Sequence, residues 1–486
     1  MNENQLLTRS FQDIRNDVIG IDAEFDGPYG RKKLVYADWI ASGRLYRPIE
    51  DKLINEIGPM VGNTHSESSI TGQYMTHAYH DALQKIKTHV NAAETDVIIS
   101  TGTGMTGALA KLQRMLGLMV PEQLKKYTVI PEEDRPVVFI THMEHHSNHT
   151  SWLESIADVV VVPPGENLLV DPALLEKEVQ KFDDRKVKIG SFTACSNVTG
   201  IRTPYQELAK IMHSHGGWCF VDFAASAPYD KIDMHPEHKG SHLDAIYFSP
   251  HKFLGGPGSA GVLIFNKELY HNNIPDQPGG GTVKWTNPWG GRSYFDNIEM
   301  REDGGTPGFM QTIRTALCVD LKEQMGVDEI HSTENLLLEN AFDAMSQVKG
   351  LQILAGDVRD RLGVISFYFD HLHYNLVVQL LSDRFGIQVR GGCSCAGTYG
   401  HYLLNVDEAF SCSITEQIDK GDLTDKPGWV RLSIHPTTTR EELDFIVDAI
   451  AQTGAYGKKW GEDYGFDKVL GAFTHKKFRS FHKIGI

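Results

Sequence analysis

The sequence predicts an α/β protein, with a large domain on a mostly parallel sheet and a smaller α+β domain after it. Three observations lead there. Short β-branched runs alternate with amphipathic helical stretches over roughly residues 60–330, the pattern of β-α units whose sheet is covered on both faces. Past about residue 331 that alternation gives way to long helices and a few strands. The composition of the 486 residues, 41% hydrophobic and 23% charged, is that of a folded globular chain.

Taken in order, the expected strands are DVIIS at 96–100, VVFIT at 137–141, VVVV at 159–162, VKIGSFT at 187–193, WCFVD at 218–222, AIYF at 245–248 and GVLIF at 261–265. Helical stretches at 105–119, 172–181 and 204–215 fall between them. A further helix is expected at 332–348, strands at 351–355 and 364–369, and helices at 374–385 and 440–453. The domains read as 1–60, an N-terminal segment completing the small domain, 61–330, 331–460 and a tail at 461–486. The last sixteen residues carry four Lys/Arg and no acid, with Phe473, Phe478 and Phe481 interleaved. Two readings stand for them: a segment docked on the surface, or a basic-aromatic contact with a partner.

The charge balance, 47 Lys+Arg against 63 Asp+Glu for a net −16, argues against a general nucleic-acid binder. No run reaches the eighteen or so apolar residues of a membrane span. The opening MNENQLLTRSFQDIRND lacks the apolar core of a signal peptide, so the cytoplasm is the expected compartment. Six cysteines are too few for a disulfide scaffold. Cys393 and Cys395 flank Ser394, a spacing too tight for an ordinary structural bridge, which in a reducing compartment reads as reactive thiols, metal ligands or chance. No second Cys/His pair at zinc spacing accompanies them, and no metal is expected.

In open α/β sheets ligands bind beyond the carboxyl ends of the strands. Past those ends stand Thr101-Gly102-Thr103-Gly104, Met143-Glu144-His145-His146-Ser147-Asn148, Ser196-Asn197-Val198-Thr199-Gly200, Asp222, and Ser249-Pro250-His251-Lys252 followed by FLGGPG. Each has a bland reading. Gly-Thr-Gly opening a helix is an anion site by geometry, and also an ordinary strand-to-helix turn. A strand-terminal Asp is commonly a cap, a loop Lys a solvated charge, a His pair structural. Together and in this order they supply what pyridoxal phosphate needs: a phosphate cradle, a His, an Asp for the pyridinium nitrogen and a Lys for the Schiff base.

Residues 36–436 resemble the class V aminotransferase / cysteine desulfurase family of fold-type I pyridoxal-phosphate enzymes. The stretches that carry the resemblance are EHHSN, SNVTG, VDFAAS, FSPHKFLGGPG, GGTPG and RGGCSC. The resemblance implies a seven-stranded sheet in the large domain and pyridoxal 5′-phosphate joined to Lys252. It implies that Asp222 holds the ring nitrogen protonated, that His145 stacks on the ring and that Asn197 bonds the 3′-oxygen. Thr103, Gly104, Ser249 and His251 would hold the phosphate. Thr306 would reach the phosphate of the other subunit of a homodimer. Arg431 would pair with the substrate carboxylate, with Arg390 lining the same pocket; a planar carboxylate suits Arg. One position departs. The family usually has Gln three residues after the Asp, and here that place is Ala225.

Group II cysteine desulfurases carry an Arg with the catalytic Cys five residues later. Arg390 and Cys395 match that spacing, and Cys393 stands where the usual pattern has His. The implied reaction takes sulfur from L-cysteine, or selenium from selenocysteine. Lys252 removes the α-proton, Cys395 becomes a persulfide, alanine leaves, and an acceptor protein receives the sulfur. The alternative is a class V aminotransferase or pyridoxal-phosphate lyase that never touches sulfur, with Cys-Ser-Cys an incidental loop.

Overall fold

The computed structural model describes residues 10–64 and 68–478. The chain divides into two compact units, one comprising Ser42–Ser196 and Arg202–Val327, the other the described residues of Met1–Ala41, Asn197–Ile201 and Asp328–Ile486.

The first unit is built on a seven-stranded sheet. Its strands are β1 (Asp96–Thr101), β2 (Val137–Thr141), β3 (Asp158–Val162), β4 (Lys188–Thr193), β5 (Trp218–Asp222), β6 (Ala245–Phe248) and β7 (Gly261–Asn266). They lie in the order β1-β7-β6-β5-β4-β2-β3. All pairings are parallel except those of β7, which runs antiparallel to β1 and β6. Two antiparallel steps return β1 to the direction of the parallel strands. The carboxyl ends of β1, β2, β4, β5 and β6 therefore share one edge.

All seven strands match the sequence expectation to within about a residue at each end, because strands buried on both faces read as continuous apolar runs. Helix α1 (Gly104–Met115) lays Met105, Ala108, Leu109 and Leu112 on one face, against Val97, Ile99, Val138, Ile140, Phe220 and Leu263. Those strand positions alternate, as one face of a pleated sheet requires. On the other face Met212, from helix α2 (Tyr205–Ser214), packs so closely that a Cβ at Gly190 would lie 2.8 Å from it. The sequence reading missed this unit's two longest helices, Ile70–His89 and Phe309–Met325. They pack on each other, and charged or polar residues interrupt their apolar spacing.

The second unit carries a four-stranded antiparallel sheet: β8 (Leu351–Ile353), β9 (Val364–Phe369), β10 (Arg390–Gly392) and β11 (Trp429–Ser433), in the order β8-β9-β11-β10. Its core joins Ile365, Phe367, Val430 and Leu432 to helices Val327–Met345, Tyr374–Phe385 and Arg440–Gly461. The last of these runs eight residues beyond the expected end. The N-terminal strand Val35–Tyr36 pairs in parallel with Ile387–Gln388. Near the C-terminus Ala472–His475 pairs with Tyr464–Asp467, and Phe473 packs against Phe466 at 4.8 Å. Phe481 lies outside the described residues.

Candidate active site

In the first unit the expected residues gather at the shared carboxyl edge of the sheet. Thr103 and Gly104 follow β1 and open α1, whose first turn has no side-chain cap. Gly104 has φ +61°, and a Cβ there would stand 2.7 Å from Ser249 Oγ and 3.7 Å from the His251 ring. Met105 N donates to Ser249 Oγ at 2.8 Å. The result is a helix N-terminus with unspent N–H groups, a hydroxyl and an imidazole around a position that admits only Gly, the donor set of an anion site.

Asp222 ends β5 and is 3% exposed. Its Oδ1 accepts from Ala224 N at 2.8 Å. Burial pushes its carboxyl up to about 6, against the pull of that N–H and of the Lys252 charge. Lys252 closes the short turn Pro250–Lys252 after β6 and is half-buried. Burial and the same ammonium push His251 down to about 4, so this imidazole is neutral near pH 7. His145 is half-buried; its Nδ1 accepts from Ser147 N at 3.1 Å, which leaves a neutral ring's proton on Nε2. Thr306 is exposed in the bend after Gly305. Ala225 is buried, and beside it the buried Ser226 Oγ has no hydrogen-bond partner among the described residues.

Beneath His145 lies a network the sequence reading did not find. Glu144 accepts from Thr141 Oγ1 (2.7 Å), Thr193 N (2.9 Å) and Asn148 Nδ2 (2.7 Å). Burial raises its carboxyl to about 8 in spite of these donors, and the Asp222 charge adds to the rise. Asn148 Oδ1 gathers Ser191 Oγ (2.7 Å), Tyr247 OH (2.9 Å) and Trp152 Nε1 (3.2 Å). The ends of β2 and β4 are thereby tied to the turn that carries His145.

The second unit brings together Asn197, Arg390, Cys393, Cys395 and Arg431. Arg390 and Arg431 stand opposite each other in the register of β10 and β11. Asp38 joins them, accepting from Arg431 Nη2 at 2.9 Å and from Arg390 Nε at 3.1 Å. Arg431 Nη1 donates to Asn197 O at 3.0 Å, while its buried Nε has no partner among the described residues. An acid inside the apolar run VYADWIA was the available signal for Asp38.

Cys393–Ala396 is a tight turn. Ala396 N donates to Cys393 O at 3.0 Å, and Ser394 and Cys395 both have positive φ, +49° and +57°. Those are the signs of a type I′ turn, which Gly and Asn ordinarily occupy. Asn197 Nδ2 donates to Ser394 O at 2.7 Å and Trp429 Nε1 to Ser394 Oγ at 3.2 Å. Cys395 is exposed. Cys393 is half-buried, with Sγ 3.3 Å from Pro427 O, and burial raises its thiol.

Away from both groups, His213, His242 and Asp244 bring possible ligand atoms within 4.8 Å of one another. There His213 spans Gly240 O (2.7 Å) and Asp244 Oδ2 (2.9 Å), contacts that a protonated imidazole satisfies.

The family model for class V aminotransferases matches residues 35–446. The chain belongs to the class V aminotransferase family. Within this family it is 28% identical over 436 residues to a probable cysteine desulfurase of Halalkalibacterium halodurans, covering 90% of this chain and 96% of that one. A probable cysteine desulfurase of Staphylococcus epidermidis is 28% identical over 426 residues, covering 87% and 92%. Among solved structures, the apo cysteine desulfurase of Thermococcus onnurineus superposes with a TM-score of 0.72 at 21% identity, over 92% of this chain and 98% of that one. The cysteine desulfurase CsdA of Escherichia coli gives 0.69 at 21% identity, over 91% and 98%. These superpositions place the class V chain in their fold. Among its described residues no helix is long and apolar enough to cross a membrane.

Proposed function

We propose that the protein is a pyridoxal-phosphate-dependent cysteine desulfurase, taking sulfur from L-cysteine, or selenium from selenocysteine, to leave alanine and a persulfide on Cys395. The observation that carries the reading is the turn at Cys393–Ala396. It holds an exposed thiol at its tip and is fastened through Asn197 to Arg431, whose buried Nε lacks a partner.

The residues present fit the cofactor. The Gly104 position has no room for a Cβ and is ringed by Ser249, His251 and the opening of α1, as a phosphate requires. Asp222 is a buried carboxyl with one N–H bond and the Lys252 charge acting on it, suited to a ring N–H. When bound, the cofactor supplies an electron sink for the substrate's α-carbon. Thr103, Gly104, Ser249 and His251 would hold its phosphate, Asp222 would keep a proton on its ring nitrogen, and His145 and Asn197 would take the roles toward the ring and its 3′-oxygen that the resemblance implies. Thr306 serves the partner subunit of a homodimer.

The chain's own residues then divide the work. Arg431, through Nε, and Arg390 hold the substrate carboxylate. Lys252 Nζ takes the α-proton and returns a proton to the product. Cys395 Sγ, as thiolate, attacks the substrate sulfur; the C–S bond breaks, and alanine leaves with the sulfur retained on Cys395. The thiolate is the reacting form. Residues 61–330 act as the cofactor-binding domain and 331–460 as the small domain. The cytosol keeps such thiols reduced, and a sulfur-acceptor protein completes the turnover.

The test is direct. The holoprotein absorbs in the visible, and Lys252→Ala loses that band. Cysteine with a reductant yields sulfide and alanine, and Cys395→Ser abolishes both. Full turnover in Cys395→Ser rejects the reading, and formation of a 2-oxo acid instead moves the protein to transamination.

A further inference from the structure

We propose that Asn197 is the positioning residue for Cys395: its side chain holds the turn that carries the thiol, its main chain holds the arginine that takes the substrate carboxylate, and the two together set how the attacking sulfur meets the substrate sulfur. The inference rests on the desulfurase reading. It gives Asn197 a task separate from the 3′-oxygen role that the resemblance implies.

Bonds run to both partners from this one buried residue. Asn197 is 7% exposed. Its Nδ2 donates to Ser394 O at 2.7 Å, and its own main-chain O accepts from Arg431 Nη1 at 3.0 Å. Arg431 is held in turn by Asp38 at 2.9 Å. The Ser394 carbonyl and the Cys395 N–H belong to one planar peptide unit. Fixing that oxygen therefore fixes the plane through which the chain enters Cys395.

The turn needs such a bond. Ser394 and Cys395 are both left-handed, at φ +49° and +57°, where residues other than Gly are disfavoured. Inside the turn the bond from Ala396 N to Cys393 O, at 3.0 Å, opposes relaxation. From outside, Asn197 holds the Ser394 carbonyl, and Trp429 Nε1 holds Ser394 Oγ at the longer distance of 3.2 Å. Of these two, the first acts on the backbone itself. Cys395 is exposed, so its own side chain contributes little packing to keep the backbone in place.

The side chain is suited to the task and not exhausted by it. Ser394 O can only accept, so the amide turns its NH2 toward it. An Asn amide has two N–H groups. One goes to Ser394; the other remains, as does Oδ1, which is buried without a partner among the described residues. What remains can serve the 3′-oxygen while the turn stays clamped. Asp has the same shape but would set one acceptor against another, and Ala would take this donor away from Ser394 O. In both variants the main-chain O of residue 197 still accepts from Arg431, so the binding of the substrate carboxylate and the placement of the thiol come apart.

The test uses Asn197→Asp and Asn197→Ala. In the apoprotein, where no cofactor can intervene, hydrogen exchange at Ala396 N–H is read on a peptide spanning 393–396. It reports opening of the turn and is expected to quicken about tenfold in both variants. In the holoenzyme two rates are compared: alanine formation from L-cysteine, which needs the thiol, and α-proton exchange of L-alanine in heavy water, which does not. In the variants the visible band persists and KM for L-cysteine changes less than kcat. Alanine formation falls about a hundredfold, while α-proton exchange falls about tenfold or less. Either variant suffices if the other folds poorly. If both rates fall by the same factor, or Ala396 exchanges as in wild type, the inference is overturned and the desulfurase reading stands. Wild type that makes neither sulfide nor alanine from L-cysteine rejects the desulfurase reading itself, and the inference with it.

Discussion

Asp38 accepts from Arg431 Nη2 at 2.9 Å and so provides a counter-ion for a guanidinium whose side chain is only 3% exposed. A buried ion pair adds little over an apolar pair of the same shape, yet removing one partner strands the other charge. Asp38→Ala is expected to lower stability by about 3 kcal/mol or more, and Asp38→Asn, which keeps an acceptor, by less. If Arg431 holds the substrate carboxylate as proposed, loosening it is also expected to raise KM for the amino acid more than it lowers kcat. Urea unfolding and steady-state kinetics check both, and unchanged stability in Asp38→Ala would remove the counter-ion assignment.

The Gly104 cradle makes a sharper prediction. Gly104→Ala puts a methyl 2.7 Å from Ser249 Oγ at a residue with φ +61°. The backbone cost is about 1 kcal/mol, and the methyl intrudes into the proposed phosphate site. Pyridoxal-phosphate affinity is expected to fall by at least about tenfold, equivalent to ~1.4 kcal/mol. Titration of the apoprotein with the cofactor measures it; undiminished affinity would put the phosphate elsewhere.

Asp222 gives a pH dependence with a defined sign. Its folded value of about 6 lies above its ordinary 3.8. Between those values the folded apoprotein binds more protons at this site than the unfolded chain, so stability falls as pH rises. The contribution is present below about pH 4 and gone above about pH 6. Asp222→Asn cannot titrate. The Tm of wild-type apoprotein minus that of Asp222→Asn should therefore drop between pH 4 and 6 and level off above. A difference that rises across that window would reverse the assignment.

The legible parts of the sequence share a physical cause. β1, β2 and β4–β6 are buried on both faces, so each announces itself as an apolar run, and the chemistry-bearing residues follow it in sequence at the carboxyl edge. Lys252, Asp222, His145 and Gly104 were readable because a strand end locates them. Asp38 was not, because its partners Arg390 and Arg431 lie more than three hundred residues away along the chain. Glu144 sat in a quoted motif, yet its role as the junction of Thr141, Thr193 and Asn148 depends on the pairing of β2 with β4, which no local pattern encodes. The backbone of Ser394 and Cys395 was equally hidden, since Cys-Ser-Cys lacks the Gly or Asn that signals a left-handed turn.

That hidden backbone can be measured through a pair of substitutions at Ser394. Ser394→Ala and Ser394→Gly both remove the Oγ that accepts from the buried Trp429 Nε1 at 3.2 Å. Leaving that N–H unpaired costs ~1–3 kcal/mol in each. They differ in the backbone. Alanine keeps the strain of φ +49°, whereas glycine adopts that angle freely. Ser394→Gly is therefore expected to be more stable than Ser394→Ala by about 1 kcal/mol, the reverse of their order inside a helix or strand. Chemical denaturation of the two variants supplies the comparison. If alanine proves the more stable, the left-handed turn is absent in solution, and the placement of Cys395 at its tip goes with it. If glycine is the more stable but turns over more slowly than wild type, then the tension held at Ser394 serves to present the Cys395 thiol.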